Sequence, residues 1–298
     1  MKKIISILAI LALAVFSASA ADVTVEKNFN LKDFRGLEIS STFDVTVEQS
    51  DTYSISIAVL SEYAPYLDIR VTGGILNVGF KNLPKRLNTT SYIKSAAAAK
   101  ICMPSLERLS LSGASTFSTA DSFDAGNNGI QISVSGASEL KHVEMYGTDA
   151  RITVSGASRA SITGGFVDID MAVSGTSRAT LAADAEELNV TASGTAVADI
   201  EGEYEDVELS ASGVAHITVK GQADELDATG SGTASIDVLK MPVNSAEVSL
   251  SGASVCKTYV QKELEASCSG ASTLSYKSDN EIKLELKQIA RTATLKKL

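Results

Sequence analysis

The sequence has no tryptophan, four prolines, three cysteines and two histidines among 298 residues, and aromatic residues make up 5% of it. Sugar-recognition surfaces usually offer exposed aromatic platforms, so this shortage weakens both a carbohydrate-binding and a polysaccharide-degrading reading. Tyr53, Tyr63, Tyr66 and Tyr92 are the aromatic side chains left as candidates for exposure. Few prolines and no low-complexity tract argue against a flexible string of domains. Cys102, Cys256 and Cys268 have no metal-type spacing. The last two read as small buried hydrophobes, with a disulfide between them as the alternative. His142 and His216 lie too far apart in the repeat described below to share an acid–base site, and both read as structural.

A second shortage is of long apolar runs. The one at the start, Ile4 to Phe16, follows Lys2 and Lys3 and precedes Ala18-Ser19-Ala20. That is the pattern of a cleavable leader over residues 1–20, and the run is too short to span a bilayer. No cysteine follows the cleavage site, which argues against a lipid anchor. The expectation is export to the periplasm, the outer surface or the medium. Without the leader lysines, 24 basic side chains face 36 acidic ones, a net charge of −12. Such a balance disfavours nucleic acid and anionic membrane surfaces as partners.

What the chain does have is a phrase repeated nine times: Ser-Gly followed by a small residue. The glycines are Gly113, Gly136, Gly156, Gly175, Gly194, Gly213, Gly232, Gly252 and Gly270, spaced 23, 20, 19, 19, 19, 19, 20 and 18 residues apart. A fixed period of this length is the mark of a stacked repeat architecture. Two and four residues before each glycine come apolar or small side chains, and three before comes Ser or Thr in all but one repeat (Ala172). This alternation is that of a half-buried strand. Apolar residues recur four and six after the glycine, and aromatic or small ones ten after. On this count His142 and the row Phe123, Tyr146, Phe166, Tyr204 face inward and His216 faces outward. Nineteen residues are too few for a propeller blade of ~40–45 but suit one coil of a parallel β-helix. Nine coils at ~4.8 Å each make a rod roughly 40 Å long. The fold class expected is therefore all-β: a single-chain parallel β-helix (solenoid) with an N-terminal β cap, right-handed by analogy with parallel crossovers.

Residues 21–106 lack the period and read as a β region that caps the first coil while remaining continuous with the solenoid. Asp68-Ile-Arg-Val, Thr72-Gly-Gly74 and Ile75 to Phe80 form a hairpin pattern with a glycine turn. Lys81, Lys85, Arg86, Lys94 and Lys100 make one basic stretch, read as an exposed loop leading into the first coil. The repeats occupy 107–278. Residues 279–298, with Glu281-Ile-Lys-Leu-Glu-Leu286, alternate again and are read as capping strands at the far end.

The passage from an alternating N-terminal region through Met103-Pro-Ser-Leu106 into Leu109-Ser-Leu-Ser-Gly-Ala-Ser115, with serial Ser-Gly-Ala-Ser phrases after it, resembles the bacterial family known as putative auto-transporter adhesin, head GIN domain. The likeness runs from about Phe34 to Ser278. It implies a β-helical protein of the envelope or surface, and it brings no catalytic residues.

Two rows of side chains stand out once coils are stacked. Five before successive glycines come Asp170, Asn189, Glu208, Asp227, Glu247 and Glu265, an outward acidic ladder able to attract Ca²⁺ or a basic partner. Three after successive glycines come Glu139, Arg159 and Arg178, a pair of guanidinium groups able to grip a carboxylate or sulfate. The bland alternative for both is a solvated charged stripe. No cluster of acids and bases across neighbouring coils is visible. The Ser-Gly-Ala-Ser phrases lack the glycine two before the serine that a nucleophile elbow needs. The expected function is non-enzymatic, adhesin-like binding of an envelope glycan or protein through the repeat face. The alternatives are a polysaccharide-active β-helix enzyme and a purely structural envelope component.

Overall fold

The computed structural model describes residues 23–87 and 97–298. Its first nine strands are β1 (Thr24–Phe29), β2 (Gly36–Ile39), β3 (Phe43–Gln49), β4 (Ser54–Leu60), β5 (Leu67–Thr72), β6 (Ile75–Phe80), β7 (Ala97–Met103), β8 (Arg108–Leu111) and β9 (Thr116–Asp124). The repeats supply β10 (Ile130–Val134), β11 (Glu139–Tyr146), β12 (Asp149–Val154), β13 (Arg159–Gly165), β14 (Asp168–Val173), β15 (Arg178–Asp184), β16 (Glu187–Ala192), β17 (Val197–Glu203), β18 (Asp206–Ala211), β19 (His216–Gln222) and β20 (Glu225–Gly230). The last are β21 (Ser235–Leu250), β22 (Val255–Cys268), β23 (Thr273–Lys277), β24 (Lys283–Ile289) and β25 (Thr294–Lys297). Among the described residues there is no α-helix, only two short 3-10 turns.

The strands form two parallel stacks. The first sheet holds the segment before each glycine: β8, β10, β12, β14, β16, β18, β20, the second halves of β21 and β22, then β24. The second sheet holds the segment after it: β9, β11, β13, β15, β17, β19, the first halves of β21 and β22, then β23 and β25. Each coil packs on the next in register, so identical offsets from the glycine become columns. The inward columns are the apolar ones expected: Leu188, Val190 and Ala192 on one sheet, Ala198 and Ile200 on the other, are all buried.

The Ser-Gly-small phrase is the corner between the sheets. Its glycines have φ near +70°, where a Cβ would collide with the following carbonyl oxygen. The stack adds a second constraint. A Cβ on Gly175 would lie 2.6 Å from Gly156 O, the backbone oxygen of the corner below. That oxygen accepts the Thr176 N–H at 2.8 Å, and the same bond recurs from corner to corner. The serine two after the glycine points inward: Ser177 is buried and its Oγ donates to Ser174 O at 2.7 Å. The same bond to the carbonyl three residues back recurs at Ser115, Ser158 and Ser254 and makes the buried hydroxyl tolerable there, whereas Ser272 Oγ has no such partner. Equally close stacking occurs at Gly202 and Gly221, near the ends of β17 and β19, where a Cβ would fall within 2.0 Å of a backbone oxygen of the preceding coil.

The N-terminal region is interleaved with the stack. β2 and β3 form a coil directly under β8 and β9, joined by Ser40-Ser41-Thr42, with Ser41 at φ 73 beneath Gly113. Ser41 is thus a tenth corner that carries no glycine. β6 and β7 lie outside β2 and β3, so the chain returns past its own first coil to reach β8. β5 and β6 pair antiparallel across Gly73 and Gly74, as the hairpin pattern predicts. β4 and β1 then extend the second sheet in antiparallel fashion. This end of the bore is filled by Tyr63, fully buried, with the Phe80 ring tilted against it and Phe43 tilted against Phe80. Part of the basic stretch lies outside the described residues. Within it, Lys100 sits on β7 and pairs with Glu48 at 2.7 Å.

Two inward assignments need correcting. The 20-residue spacing between Gly136 and Gly156 holds one extra residue, absorbed as a bulge in β11 between Leu140 and Val143. A one-residue slip reverses every later side chain. His142 is therefore exposed, Val143 and Met145 take the inward places, and Tyr146 turns out to 40% exposure. Phe123, Phe166 and Tyr204 do face inward. His216 is exposed, as its offset predicts. Cys256 and Cys268 are buried free thiols. Burial, with Cys268 nearby, pushes the Cys256 thiol up to about 12, which removes it as a nucleophile.

Candidate functional site: the acidic face of the first sheet

The predicted acidic ladder is one row of the structure. Arg151, Asp170, Asn189, Glu208, Asp227, Glu247, Glu265 and Glu285 are successive register partners. Their strands hold them there because the neighbours on either side, such as Leu226 and Ala228 around Asp227, are buried. A second row escaped the sequence reading. Asp149, Asp168, Glu187, Asp206 and Glu225 stack in the same way two residues earlier on the same strands, hence on the same face. The same count from the glycine, carried two places further back, would have found it. Beside it at the turn stand Glu186, Glu205 and Asp224, linked by backbone bonds from coil to coil.

The ends of the first row are neutralised and its middle is not. Arg151 meets Asp170 at 3.2 Å, and Lys287 meets Glu265 at 3.3 Å. Glu208, Asp227 and Glu247 form no ion pair among the described residues. Like charges on adjacent strands repel directly, by about 1 kcal/mol per pair in a watery environment. Their fold-independent reason for being there is therefore solubility or a cationic partner. Among the described residues, no group of three or more His, Cys, Asp or Glu side chains could hold a metal ion. Each rung of the middle carries two outward carboxylates two residues apart, Asp206 with Glu208 and Glu225 with Asp227.

Glu139, Arg159 and Arg178 are likewise brought into one column on the second sheet. Arg178 is held by Asp199 of the next coil at 2.9 Å, while Arg159 has no ion pair among the described residues. The second sheet's outer face is otherwise mixed in charge, with Lys220 near Glu201 and Lys257 at 3.4 Å from Asp237. The two faces thus differ in kind: one is a run of carboxylates, the other a balanced network worth little energetically.

A groove of about 560 Å³ lies near the capped end, lined by Asp33, Arg35, Tyr53, Glu107 and Arg108 with the Gly73–Gly74 turn. Its one half-buried carboxylate, Glu107, is engaged by Arg35 at 3.4 Å and by the Asn128 amide at 3.2 Å. Two guanidinium groups and two carboxylates line a common wall here.

A two-sheet parallel solenoid with glycine corners and charged outer columns defines this molecule as a β-solenoid repeat protein. The chain belongs to the family described as putative auto-transporter adhesin, head GIN domain, whose model matches residues 33–201 and 178–279. Among solved structures, a putative adhesin from Parabacteroides merdae ATCC 43184 is 16% identical and aligns over 92% of this chain and 96% of its own, with a TM-score of 0.48. A putative adhesin from Parabacteroides distasonis ATCC 8503 is 16% identical over 93% and 98%, with a TM-score of 0.48. A putative lipid binding protein from the same organism is 19% identical over 92% and 96%, with a TM-score of 0.43. No curated protein matches the chain.

Proposed function

We propose that the chain is a non-enzymatic, adhesin-like binding protein of the cell envelope or cell surface, and that the acidic face of its first sheet is the binding face. The observation that carries this reading is the middle of the ladder. Glu208, Asp227 and Glu247 stack rung on rung without a basic side chain to relieve them, beside a second carboxylate row in the same register. Membership of an adhesin family supports an envelope or surface location. The export leader expected over residues 1–20 lies outside the described residues. No helix among the described residues is long and apolar enough to cross a membrane. The partner is an envelope glycan or protein bearing positive charge.

The test is binding of residues 21–298 to a glycan array and to a labelled oligolysine peptide, each with calcium and with chelator. Saturable, salt-sensitive binding that is lost in a Glu208→Gln/Asp227→Asn/Glu247→Gln variant supports the reading. Binding that survives the triple variant but is lost on Arg159→Ala/Arg178→Ala moves the site to the second sheet. A polysaccharide-active enzyme has one observation in its favour, the groove with Asp33 and Glu107 on adjoining coils. Release of reducing ends from a polysaccharide panel, abolished by Glu107→Gln, would establish it in place of the adhesin reading.

A further inference from the structure

The two ends of the solenoid are built differently. At the N-terminal end the bore is filled by Tyr63 with Phe80 against it, and the outermost strands there, β1 and β5, pair antiparallel with β4 and β6 and have no further strand beside them among the described residues. At the C-terminal end β24 and β25 add the last rungs and nothing covers them among the described residues. Leu284 stacks on Leu264 and Leu286 on Ala266, both of which are fully buried, yet Leu284 is 39% and Leu286 48% exposed. Ile282, Ile289 and Leu295 are only partly covered. The outer edge of β24 has no strand beside it, so its backbone donors and acceptors are open. An apolar core cross-section and a free strand edge at one place are the two features that native proteins otherwise bury or block.

We propose that this end is the interface of a homodimer, in which β24 pairs antiparallel with β24 of a second copy, end to end. The occupant is identified by the segment's own pattern. Glu281-Ile-Lys-Leu-Glu-Leu-Lys287 is self-complementary about Leu284. In the antiparallel register that sets Leu284 opposite itself, Lys283 faces Glu285 within β24, while Ile282 and Glu281, just before the strand, face Leu286 and Lys287, each twice. A slide of two residues, centring the pair on Glu285, sets Glu285 against itself and Lys283 against Lys287. Like charges directly opposite are unfavourable, which excludes that register; centring the pair on Leu286 matches Glu285 with Lys287 but sets Leu284 against Gln288 and Lys283 against Ile289, so apolar and charge matching together select the first register. An isologous two-fold contact demands this kind of self-complementarity and closes after two copies. Head-to-tail stacking would instead set Leu284 and Leu286 against an end whose bore Tyr63 and Phe80 already fill. The dimer covers Leu284 and Leu286 and continues the first sheet across the junction. It also places two acidic faces on one rod, so a repetitive partner would be held at two places.

The experiment is size-exclusion chromatography with light scattering on the mature chain, residues 21–298, over a hundredfold concentration range. A dimer at tens of micromolar is expected. A monomer at every concentration, or polymers that lengthen with concentration, overturns the proposal. Leu284→Asp is expected to give a monomer with an unchanged far-ultraviolet spectrum, because the residue is already exposed, and a persisting dimer overturns the proposal. Lys283→Glu and Glu285→Lys should each weaken the dimer about tenfold or more, and the double variant should restore it. Failure of that rescue overturns the register. Leu284→Cys should give a disulfide-linked dimer on mild oxidation, whereas Arg70→Cys at the filled end should not.

Discussion

Replacing Gly175 by alanine tests the corner argument most sharply. The residue sits at φ +76, and a Cβ there lies 2.6 Å from Gly156 O, a backbone atom that cannot swing aside as a side chain would. That oxygen accepts both the Thr176 N–H at 2.8 Å and the Thr176 Oγ1 hydroxyl at 3.1 Å. The left-handed backbone costs alanine about 1–2 kcal/mol. Lengthening one or both of those bonds costs about 1 kcal/mol more. A loss of ~2–3 kcal/mol is expected, which corresponds to a fall in Tm of about 5–8 °C for a chain of this size. The control is Gly73→Ala in the β5–β6 hairpin, where φ is +58 but nothing lies within 4 Å. It bears the backbone cost alone, a fall of about 2–5 °C. Thermal unfolding followed by circular dichroism at matched concentration reads both. Equal shifts for the two variants would refute the claim that the stacked carbonyl, and not φ alone, excludes a side chain. Ser41 fits the same logic, because the column of corner carbonyls begins with its own oxygen, so it needs no glycine.

Other outcomes follow from the same geometry. Glu208→Gln/Asp227→Asn/Glu247→Gln should raise Tm by about 2–3 °C at low salt, since the like-charge contacts Glu208–Asp227, Asp227–Glu247 and Glu247–Glu265 are removed, and the gain should shrink in 0.5 M sodium chloride as screening takes over, to roughly nil. Iodoacetamide at pH 8 should modify Cys102, which is partly exposed, and leave Cys256 and Cys268 until denaturant is added; mass spectrometry counts the adducts. Hydrogen bonding to Lys287 holds the Glu285 carboxyl below the ordinary glutamate value of 4.5. Its folded form is therefore the stronger acid, and the pair's contribution is present above that value and lost as pH falls below it. Wild type and Lys287→Met should differ in urea midpoint at pH 7 and converge towards pH 3. Ser177→Ala should cost only ~0.5–1 kcal/mol, since Ala196, Ala215 and Ala234 occupy the same buried position in later coils.

The sequence by itself determined the repeat, the alternation within it and hence the inward columns. A glycine forced by a left-handed corner, a serine before it and a period near 19 admit few folds, because each coil must bury the same small side chains against the next. The acidic ladder and the Arg159–Arg178 pair were legible for the same reason: in-register stacking turns an offset into a column. Three things were decided only in three dimensions. The bulge in β11 exposed His142 and Tyr146, because the 20-residue spacing shows that one residue is extra without showing where the strand absorbs it. The coil of β2 and β3 joined the stack under β8 and β9 although its corner holds Ser41 and no period marks it, since pairing depends on the neighbouring edge and not on a motif. The contrast between a filled and an open end belongs to the tertiary structure alone. Leu284 and Leu264 have the same character in sequence, and only the presence or absence of another coil above them decides which one is buried.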